Sequence, residues 1–163
     1  MSPRAACRLE TLGFRQVHDY GGGKAEWLAD GLPREGETTS VLYAGELTDN
    51  DPPTCALHDT LGAVRAQLEN SRYGFCLVLD ERRILLGRVR RTAIERADAK
   101  AAAESVMEPG PSTIRFNTPA QDLVQRLAGK DLETAIVTTP SGCLVGVFYR
   151  ADAEQRLAQT ERP

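Results

Sequence analysis

An internal repeat constrains the fold of this chain more than any other feature of its sequence. The segment LLGRVRRTAIE, which starts at Leu85, aligns without a gap on LVGVFYRADAE, which starts at Leu144. The same shift of 59 positions, from Gly87 to Gly146, also aligns these pairs upstream: Val78 with Val137, Leu68 with Leu127, Thr54 with Thr113, and Pro52 with Pro111. Chance rarely keeps one register over about fifty residues. We therefore expect two copies of one structural unit that share a core.

Hydrophobic patterning predicts the same order of elements in both copies. In the first copy, a short extended piece at 54–57 precedes a helix with Leu61, Val64 and Leu68 on one face. A buried strand over 73–79 and a partner strand over 84–89 form a hairpin, and a helix over 91–102 follows. The second copy has its corresponding strands at 133–138 and 144–148 and its last helix at 151–159. Each repeat therefore reads as β-α-β-β-α.

The composition excludes several classes of protein. A net charge of -3 argues against general electrostatic binding to nucleic acid. No apolar run approaches the ~20 residues that a membrane span needs, and the N-terminal stretch lacks the apolar core of a signal peptide. We therefore expect a cytoplasmic protein. Its cysteines form no CxxC pair and its two histidines lack metal-ligand spacing, so no metal site is expected and Cys76 and Cys143 read as small buried thiols.

The first 36 residues carry a motif of their own. A predicted helix over 2–12 ends in L-G-F, a strand over 14–20 ends in Tyr20, and the spacing G-G-x-x-x-W-x-x-x-G-L-P runs from Gly22 through Trp27 to Pro33. This segment resembles the C-terminal end of a rhodanese domain. The catalytic cysteine of that family lies in a loop just before the helix, and no such loop precedes the helix here. Cys7 falls within the helix, so we expect residues 1–36 to be a rhodanese-like fragment without sulfurtransferase activity, followed by a linker at 37–43.

The repeated part resembles a pair of CBS domains. The resemblance rests on the lead-in V-M-E-P at 106–109, on the Thr-Pro helix start at 118–119 and on the L-V-G hairpin strand at 144–146. It implies an α/β (α+β) fold of two β-α-β-β-α repeats packed about a pseudo-twofold axis. We place the first repeat at 44–98 and the second repeat at 103–159. It also implies a non-enzymatic sensor that binds an adenosine-containing ligand such as AMP, ATP or S-adenosylmethionine, without a required cofactor, and a homodimer that regulates an unidentified protein.

The CBS ligand motif, G-h-h-[ST]-x-x-D after the last strand, indicates one ligand cleft rather than two. In the second repeat the motif positions are Gly146, Tyr149 and Asp152, so the ribose-binding carboxylate is present although Tyr replaces a small hydroxyl residue. In the first repeat Ala93 stands at the position of the Asp. The resemblance implies these ligand-binding residues: Thr54, Ala56, Tyr73, Gly74, Tyr149, Arg150 and Asp152. Among them, Asp152 would hold the ribose, Arg150 the phosphates, and Tyr149 would stack on or flank the adenosine.

Several alternatives stay open at this point. Asp152 could cap the last helix, with or without a ligand role, and Arg88, Arg90 and Arg91 could form a solvated face. The module could also be a structural dimerisation unit with empty clefts. The chain could also be the remnant of a sulfurtransferase fusion that has lost its catalytic cysteine.

Overall fold

A computed structural model describes residues 3–18, Trp27 and residues 41–160. The chain divides into two compact units, residues 1–39 and residues 40–163. In the parts that the model describes, no helix is long and apolar enough to cross a membrane.

The described part of the first unit is mainly one helix. Helix α1 spans Pro3–Thr11, and the chain leaves it through Gly13, whose φ of 94° lies in the left-handed region that favours glycine. The N–H of Phe14 reaches back to the carbonyl of Leu9, which satisfies one of the last free carbonyls of the helix. Residues 14–18 do not form the predicted strand, since no described segment pairs with them. Trp27 is helical, and the other motif residues from Gly22 to Pro33 lie outside the described residues, as do residue 2 of the predicted first helix, Tyr20 and positions 37–40 of the predicted linker.

The second unit contains both repeats, and their elements match one another through the 59-residue shift. Each repeat begins with a 3-10 turn, Ala44–Leu47 in the first and Ala103–Val106 in the second. The first repeat continues with β1 (Thr48–Asp49), β2 (Thr54–Cys55), α2 (Leu61–Glu69), β3 (Phe75–Leu79), β4 (Leu85–Arg90) and α3 (Arg91–Arg96). The second continues with β5 (Glu108–Pro109), β6 (Thr113–Arg115), α4 (Ala120–Ala128), β7 (Thr134–Thr138), β8 (Leu144–Tyr149) and α5 (Arg150–Thr160). The predicted β-α-β-β-α order is confirmed from β2 and β6 onward, and each repeat has one further short strand, β1 or β5, before it.

The two repeats exchange their first strands. The eight strands form two mixed four-stranded sheets, with the orders β2-β3-β4-β5 and β1-β8-β7-β6. Strand β1 of the first repeat pairs antiparallel with β8 of the second, and β5 of the second repeat pairs antiparallel with β4 of the first. Within each repeat the pair that flanks the helix, β2 with β3 or β6 with β7, is parallel. Each sheet therefore needs a strand from the other repeat.

The glycines of the hairpin motif make this exchange possible. A Cβ at Gly146 would collide with the backbone carbonyl of Asp49 on the crossing strand β1. At Gly87, a Cβ would collide with the side chain of Met107 and would lie 2.9 Å from the carbonyl oxygen of Glu108 on β5. Only glycine allows the two backbones to approach this closely.

One core holds the repeats together. The helix residues Leu61, Val64 and Leu68 are buried as the sequence predicts. They cluster with strand residues of the first repeat and with residues of β7 and β8 in the second, namely Ile136, Leu144 and Val147. Burial of these side chains from both repeats in one cluster stabilises the pair as a unit.

The helix after the first hairpin is shorter than predicted. It ends at Arg96 instead of continuing to residue 102, because Asp98 forms a side-chain turn to the N–H of Lys100. The turn that follows then offers the carbonyls of Ala99 and Ala101 to the first N–H groups of helix α2, which have no partner within their own helix.

The cysteines differ in burial. Cys55 and Cys76 are buried, Cys143 is half-buried in the hairpin turn before β8, and Cys7 is exposed. The contact with Cys55, together with burial, raises the pKa of Cys76, so its thiol stays protonated. In the described residues, no three His, Cys, Asp or Glu side chains group closely enough to hold a metal ion.

Candidate functional site

Asp152 lies in the first turn of helix α5, directly after strand β8. The strand ends at Tyr149 and the helix begins at Arg150, so Asp152 is the third helical residue and does not occupy the N-cap position. Its side chain is about half exposed, 51%. A carboxylate here interacts favourably with the positive end of the helix dipole and remains available to a partner outside the helix.

The strand exchange brings Asp49 next to this junction. Asp49 ends β1 and faces Val147 of β8 in the antiparallel register. The hydroxyl of the buried Tyr73 donates a hydrogen bond of 2.7 Å to Oδ2 of Asp49. This hydrogen bond, with a second from the N–H of Asp51, lowers the pKa of Asp49, so the carboxylate is ionised. Burial and the same contact with Asp49 raise the pKa of Tyr73.

Arg72 connects the two carboxylates across the site. Its Nη1 donates to Oδ2 of Asp152 at 2.7 Å, and its Nη2 lies 3.4 Å from Oδ2 of Asp49. The guanidinium carbon lies 3.8 Å from the centre of the Tyr149 ring, which is the distance of a cation–π contact. The rings of Tyr149 and Tyr73 are 5.4 Å apart, which places them in tilted contact.

Beside this cluster lies an open groove of about 710 Å³. We call the groove and the cluster together the first cleft. The residues that line the groove are Asp49, Asp51, Pro52, Pro53, Thr54, Gln67, Asn70, Ser71, Arg72 and Tyr73. All of them come from the first repeat, whereas Tyr149 and Asp152 come from the second. The first cleft is therefore built by both repeats.

The structure brings some of the residues predicted from the sequence together and leaves others apart. Thr54 and Tyr73 line the groove, and Tyr149 and Asp152 adjoin it through Arg72. Arg150 turns to its own helix, with Nε 3.7 Å from Oε1 of Glu154.

Two further predicted residues use their backbones for local structure and do not line the groove. The N–H of Ala56 donates to the Asp59 carboxylate at 2.8 Å, and the carbonyl of Gly74 accepts from the N–H of Arg91 at 2.9 Å. Their predicted contact with a ligand stays a prediction.

Sequence reasoning missed Asp49 and Arg72. Asp49 lies in the lead-in of the first repeat, and its distance from Asp152 in sequence gave no sign that the strand crosses to the other sheet. Arg72 directly precedes Tyr73 and Gly74, which were predicted to bind the ligand, so its proximity to the cleft could have been predicted as well. An arginine next to predicted cleft residues is a candidate partner for the predicted carboxylate, and this signal was available in the sequence.

Comparisons with known proteins identify the fold of the second unit. The cytosolic domain of the Mg²⁺ channel MgtE, solved in complex with ATP, matches with a TM-score of 0.61 and 21% identity over 70% of this chain and 48% of that chain. CBSX2, solved in complex with AMP, matches with a TM-score of 0.63 and 16% identity over 74% of this chain and 99% of that chain. The CBS domain pair of protein MJ0100, in complex with 5′-methylthioadenosine and S-adenosyl-L-methionine, matches with a TM-score of 0.57 and 15% identity over 74% and 99%.

The chain spans about half the length, 48%, of the MgtE domain and of the soluble part of a magnesium transporter. No family model matches the sequence. No curated protein matches it either. The rhodanese resemblance of residues 1–36 gains no support from these matches and stays a prediction. The duplicated elements, the two mixed sheets and the matched structures together show that the second unit has the α/β fold of a pair of CBS domains.

Proposed function

We propose that the second unit is a non-enzymatic regulatory module that binds an adenosine-containing ligand in the first cleft. The observation that carries the proposal is the position of Asp152, whose ionisable carboxylate stands beside an aromatic ring at the edge of an open groove. A carboxylate can accept hydrogen bonds from both hydroxyls of a ribose, and charge-assisted bonds of this kind are the stronger class. Proteins with the same fold have been solved with ATP, with AMP, and with 5′-methylthioadenosine and S-adenosylmethionine.

The charges of the first cleft favour a ligand with few negative charges. Asp49, Asp51 and Asp152 place three carboxylates around the groove, and Arg72 is the cation among the residues that line it. A triphosphate in this position would face like charges, whereas adenosine or the cationic S-adenosylmethionine would not. Within the class of AMP, ATP and S-adenosylmethionine, we therefore expect ATP to bind the first cleft least well.

A ligand must displace Arg72 before it can use Asp152. The guanidinium now occupies the carboxylate and covers the face of Tyr149, which are the two groups that would bind ribose and adenine. Ligand binding in the first cleft is therefore an exchange of one partner of Asp152 for another. Released Arg72 would still be close enough to meet a phosphate at the rim of the groove, a role that the sequence assigned to Arg150.

The same contact also supports a second candidate, a structural dimerisation module with an empty first cleft. Arg72 already pairs with Asp152, so the carboxylate does not need a ligand in order to be satisfied. The two candidates differ in one measurable property, which is whether any adenosine compound binds.

Calorimetric titration of the full chain with adenosine, AMP and S-adenosylmethionine tests the proposal. We expect Asp152→Asn to weaken the binding of whichever compound binds by roughly ten- to a hundredfold, because a hydrogen bond to a charged group contributes about 1.5–3 kcal/mol. The matched control is Asp122→Asn, since Asp122 is also the third residue of its helix, α4, is exposed, and lies away from the cleft. If none of the compounds binds the wild-type chain, the empty module is correct. If Asp152→Asn binds as well as wild type, the ribose role of Asp152 is wrong.

Other expectations accompany this proposal. They are a homodimer, a regulated protein partner that the sequence does not name, and the domain boundaries 44–98 and 103–159. Across these boundaries, the first strand of each repeat joins the sheet formed by the other repeat. A rhodanese-like fragment at 1–36 also stays a proposal.

A further inference from the structure

The unit contains a second cleft, which the 59-residue shift relates to the first. It has a volume of about 650 Å³ and lies between hairpin strand β4 of the first repeat and strand β6 and helix α4 of the second. The residues that line it are Phe75, Arg88, Arg90, Ser112, Thr113, Ile114, Leu123, Arg126, Leu127, Lys130, Leu132, Glu133, Thr134, Ala135 and Ile136. Thr113 here corresponds to Thr54 of the first cleft, and Arg126 corresponds to Gln67.

The two clefts differ in charge at matched positions. The second cleft carries four basic residues, and the shift of 59 positions pairs each with an uncharged residue: Arg88 with Val147, Arg90 with Tyr149, Arg126 with Gln67, and Lys130 with Ser71. The reverse replacement occurs at the position of Arg72, the cation of the first cleft, which corresponds to Asp131. Four changes of the same sign at four separate places on the chain converge on one cavity.

Two of these cations share one carboxylate, and the other two have no acid partner in the part of the chain that the structure describes. Arg88 and Arg90 both hydrogen-bond to Glu108, at 2.7 Å and 2.6 Å, and these bonds lower the pKa of Glu108. Arg126 and Lys130 are exposed, and among the described residues no carboxylate lies within salt-bridge distance of either. Glu133 lines the cleft, Glu108 pairs with two of its cations, and Asp131 lies in sequence between the lining residues Lys130 and Leu132, so the four cations are only partly neutralised.

The second cleft lacks the group that would hold a ribose. Ala93 occupies the position that corresponds to Asp152, so no carboxylate stands there to accept from ribose hydroxyls. Guanidinium groups match the geometry of phosphate oxygens, an ammonium adds a compact charge, and the hydroxyls of Ser112 and Thr113 at the wall are further donors. This chemistry suits phosphate groups and does not select a nucleoside.

We infer that the second cleft binds a chain of two or three phosphates and recognises the anion itself, independently of a nucleoside. The inference does not rest on the adenosine proposal, because it uses different residues and a cleft of opposite charge. The same phosphate chemistry could come from an inorganic polyphosphate or from the tail of a nucleoside triphosphate. The module would then read two ligands of different chemistry, one in each cleft.

Titration of the full chain with sodium tripolyphosphate, ATP and adenosine by calorimetry tests this inference. The test variant is Arg126→Gln with Lys130→Ser, which gives the second cleft the residues of the first at these positions. We expect tripolyphosphate to bind wild type and to weaken by about tenfold or more in the variant, since hydrogen bonds to charged groups are involved. The control, Arg82→Ser with Arg96→Gln, removes two exposed cations outside the cleft and should bind tripolyphosphate as wild type does.

The outcomes separate the possible sources of the phosphates. If the test variant weakens the binding of tripolyphosphate and ATP equally, the cleft recognises the anion. If it weakens only the binding of ATP, the cleft recognises the phosphate tail of a nucleotide, which overturns nucleoside-independent binding. Equal weakening in the control variant would reveal nonspecific attraction, which also overturns the inference, as would no binding of tripolyphosphate to wild type. Asp152→Asn should leave tripolyphosphate binding unchanged, so failure of the adenosine proposal remains distinguishable.

Discussion

Removal of the Arg72 side chain should increase the affinity of the first cleft for adenosine. In the free protein the guanidinium occupies Asp152 at 2.7 Å and covers Tyr149 at 3.8 Å. Its side chain is 46% exposed and that of Asp152 is 51% exposed, so the values for exposed groups apply. An exposed ion pair contributes at most about 1 kcal/mol, and an exposed cation–π contact about 0.5–1 kcal/mol. A ligand that displaces Arg72 loses roughly 0.5–2 kcal/mol, and Arg72→Ala should therefore tighten adenosine binding by about 2- to 30-fold.

Adenosine is the appropriate probe because it has no phosphate that Arg72 could bind. Calorimetric titration would compare wild type and Arg72→Ala, with Arg126→Ala as the control that removes an arginine from the second cleft. Thermal unfolding of each variant would verify that the fold is retained. Unchanged or weaker adenosine binding in Arg72→Ala, alongside loss of binding in Asp152→Asn, would refute the reasoning and make Arg72 a ligand contact.

The remaining predictions concern stability and assembly. Tyr73→Phe should cost about 1 kcal/mol of stability through the lost bond to Asp49 and raise the pKa of Asp49, measurable by NMR titration. The folded-state pKa of Asp49 lies below its ordinary 3.8, so the ionised carboxylate stabilises the fold above that value, and this stability disappears as pH falls through the folded pKa. The free energies of unfolding of wild type and Tyr73→Phe should therefore converge in acid. A difference that stays constant with pH would contradict this account. Gly146→Ala should cost roughly 2–3 kcal/mol, and more than Gly87→Ala, because it meets backbone where Gly87 meets mainly a flexible side chain; denaturant unfolding that reverses this order would be evidence against the strand crossing. Light scattering at micromolar concentration should give a homodimer, and a monomer would count against it.

The repeat made the order of elements predictable because the 59-residue register carries patterning, turns and helix starts together. Strand and helix starts in the two copies keep the same shift in the structure, from Thr54 and Thr113 to Arg91 and Arg150. Helix α2 begins after Thr60, whose side chain accepts from the N–H of Ala63, and threonine is a residue type that favours this N-cap position. These features are determined by residues close together along the chain, so they can be predicted from a single sequence.

The features that sequence reasoning missed depend on contacts between distant segments. Strand exchange cannot be read from local pattern, since β1 has two residues and no hydrophobic signal of its own. Helix α3 was predicted too long because alanines at 101–103 favour a helix, whereas the carbonyls of this region are needed by helix α2. The pairing of Arg72 with Asp152 requires the two repeats to be placed together in space, and only the structure does so.

The strand exchange also means that the two sheets can be completed at different times during synthesis, although the two repeats have matching structures. Strand β5 pairs with β4 across only 22 positions, from Gly87 to Pro109, whereas β1 must wait for β8 across 98 positions, from Asp49 to Val147. The longer closure costs about 1.3 kcal/mol more in chain entropy, since this cost grows with the logarithm of loop length. As the chain leaves the ribosome, the sheet of β2 to β5 can be completed once residue 109 has emerged, while β1 stays unpaired until nearly the whole second repeat has been made. A module that looks like two equal halves thus assembles in a fixed order, and the first cleft, which depends on β1, is finished last.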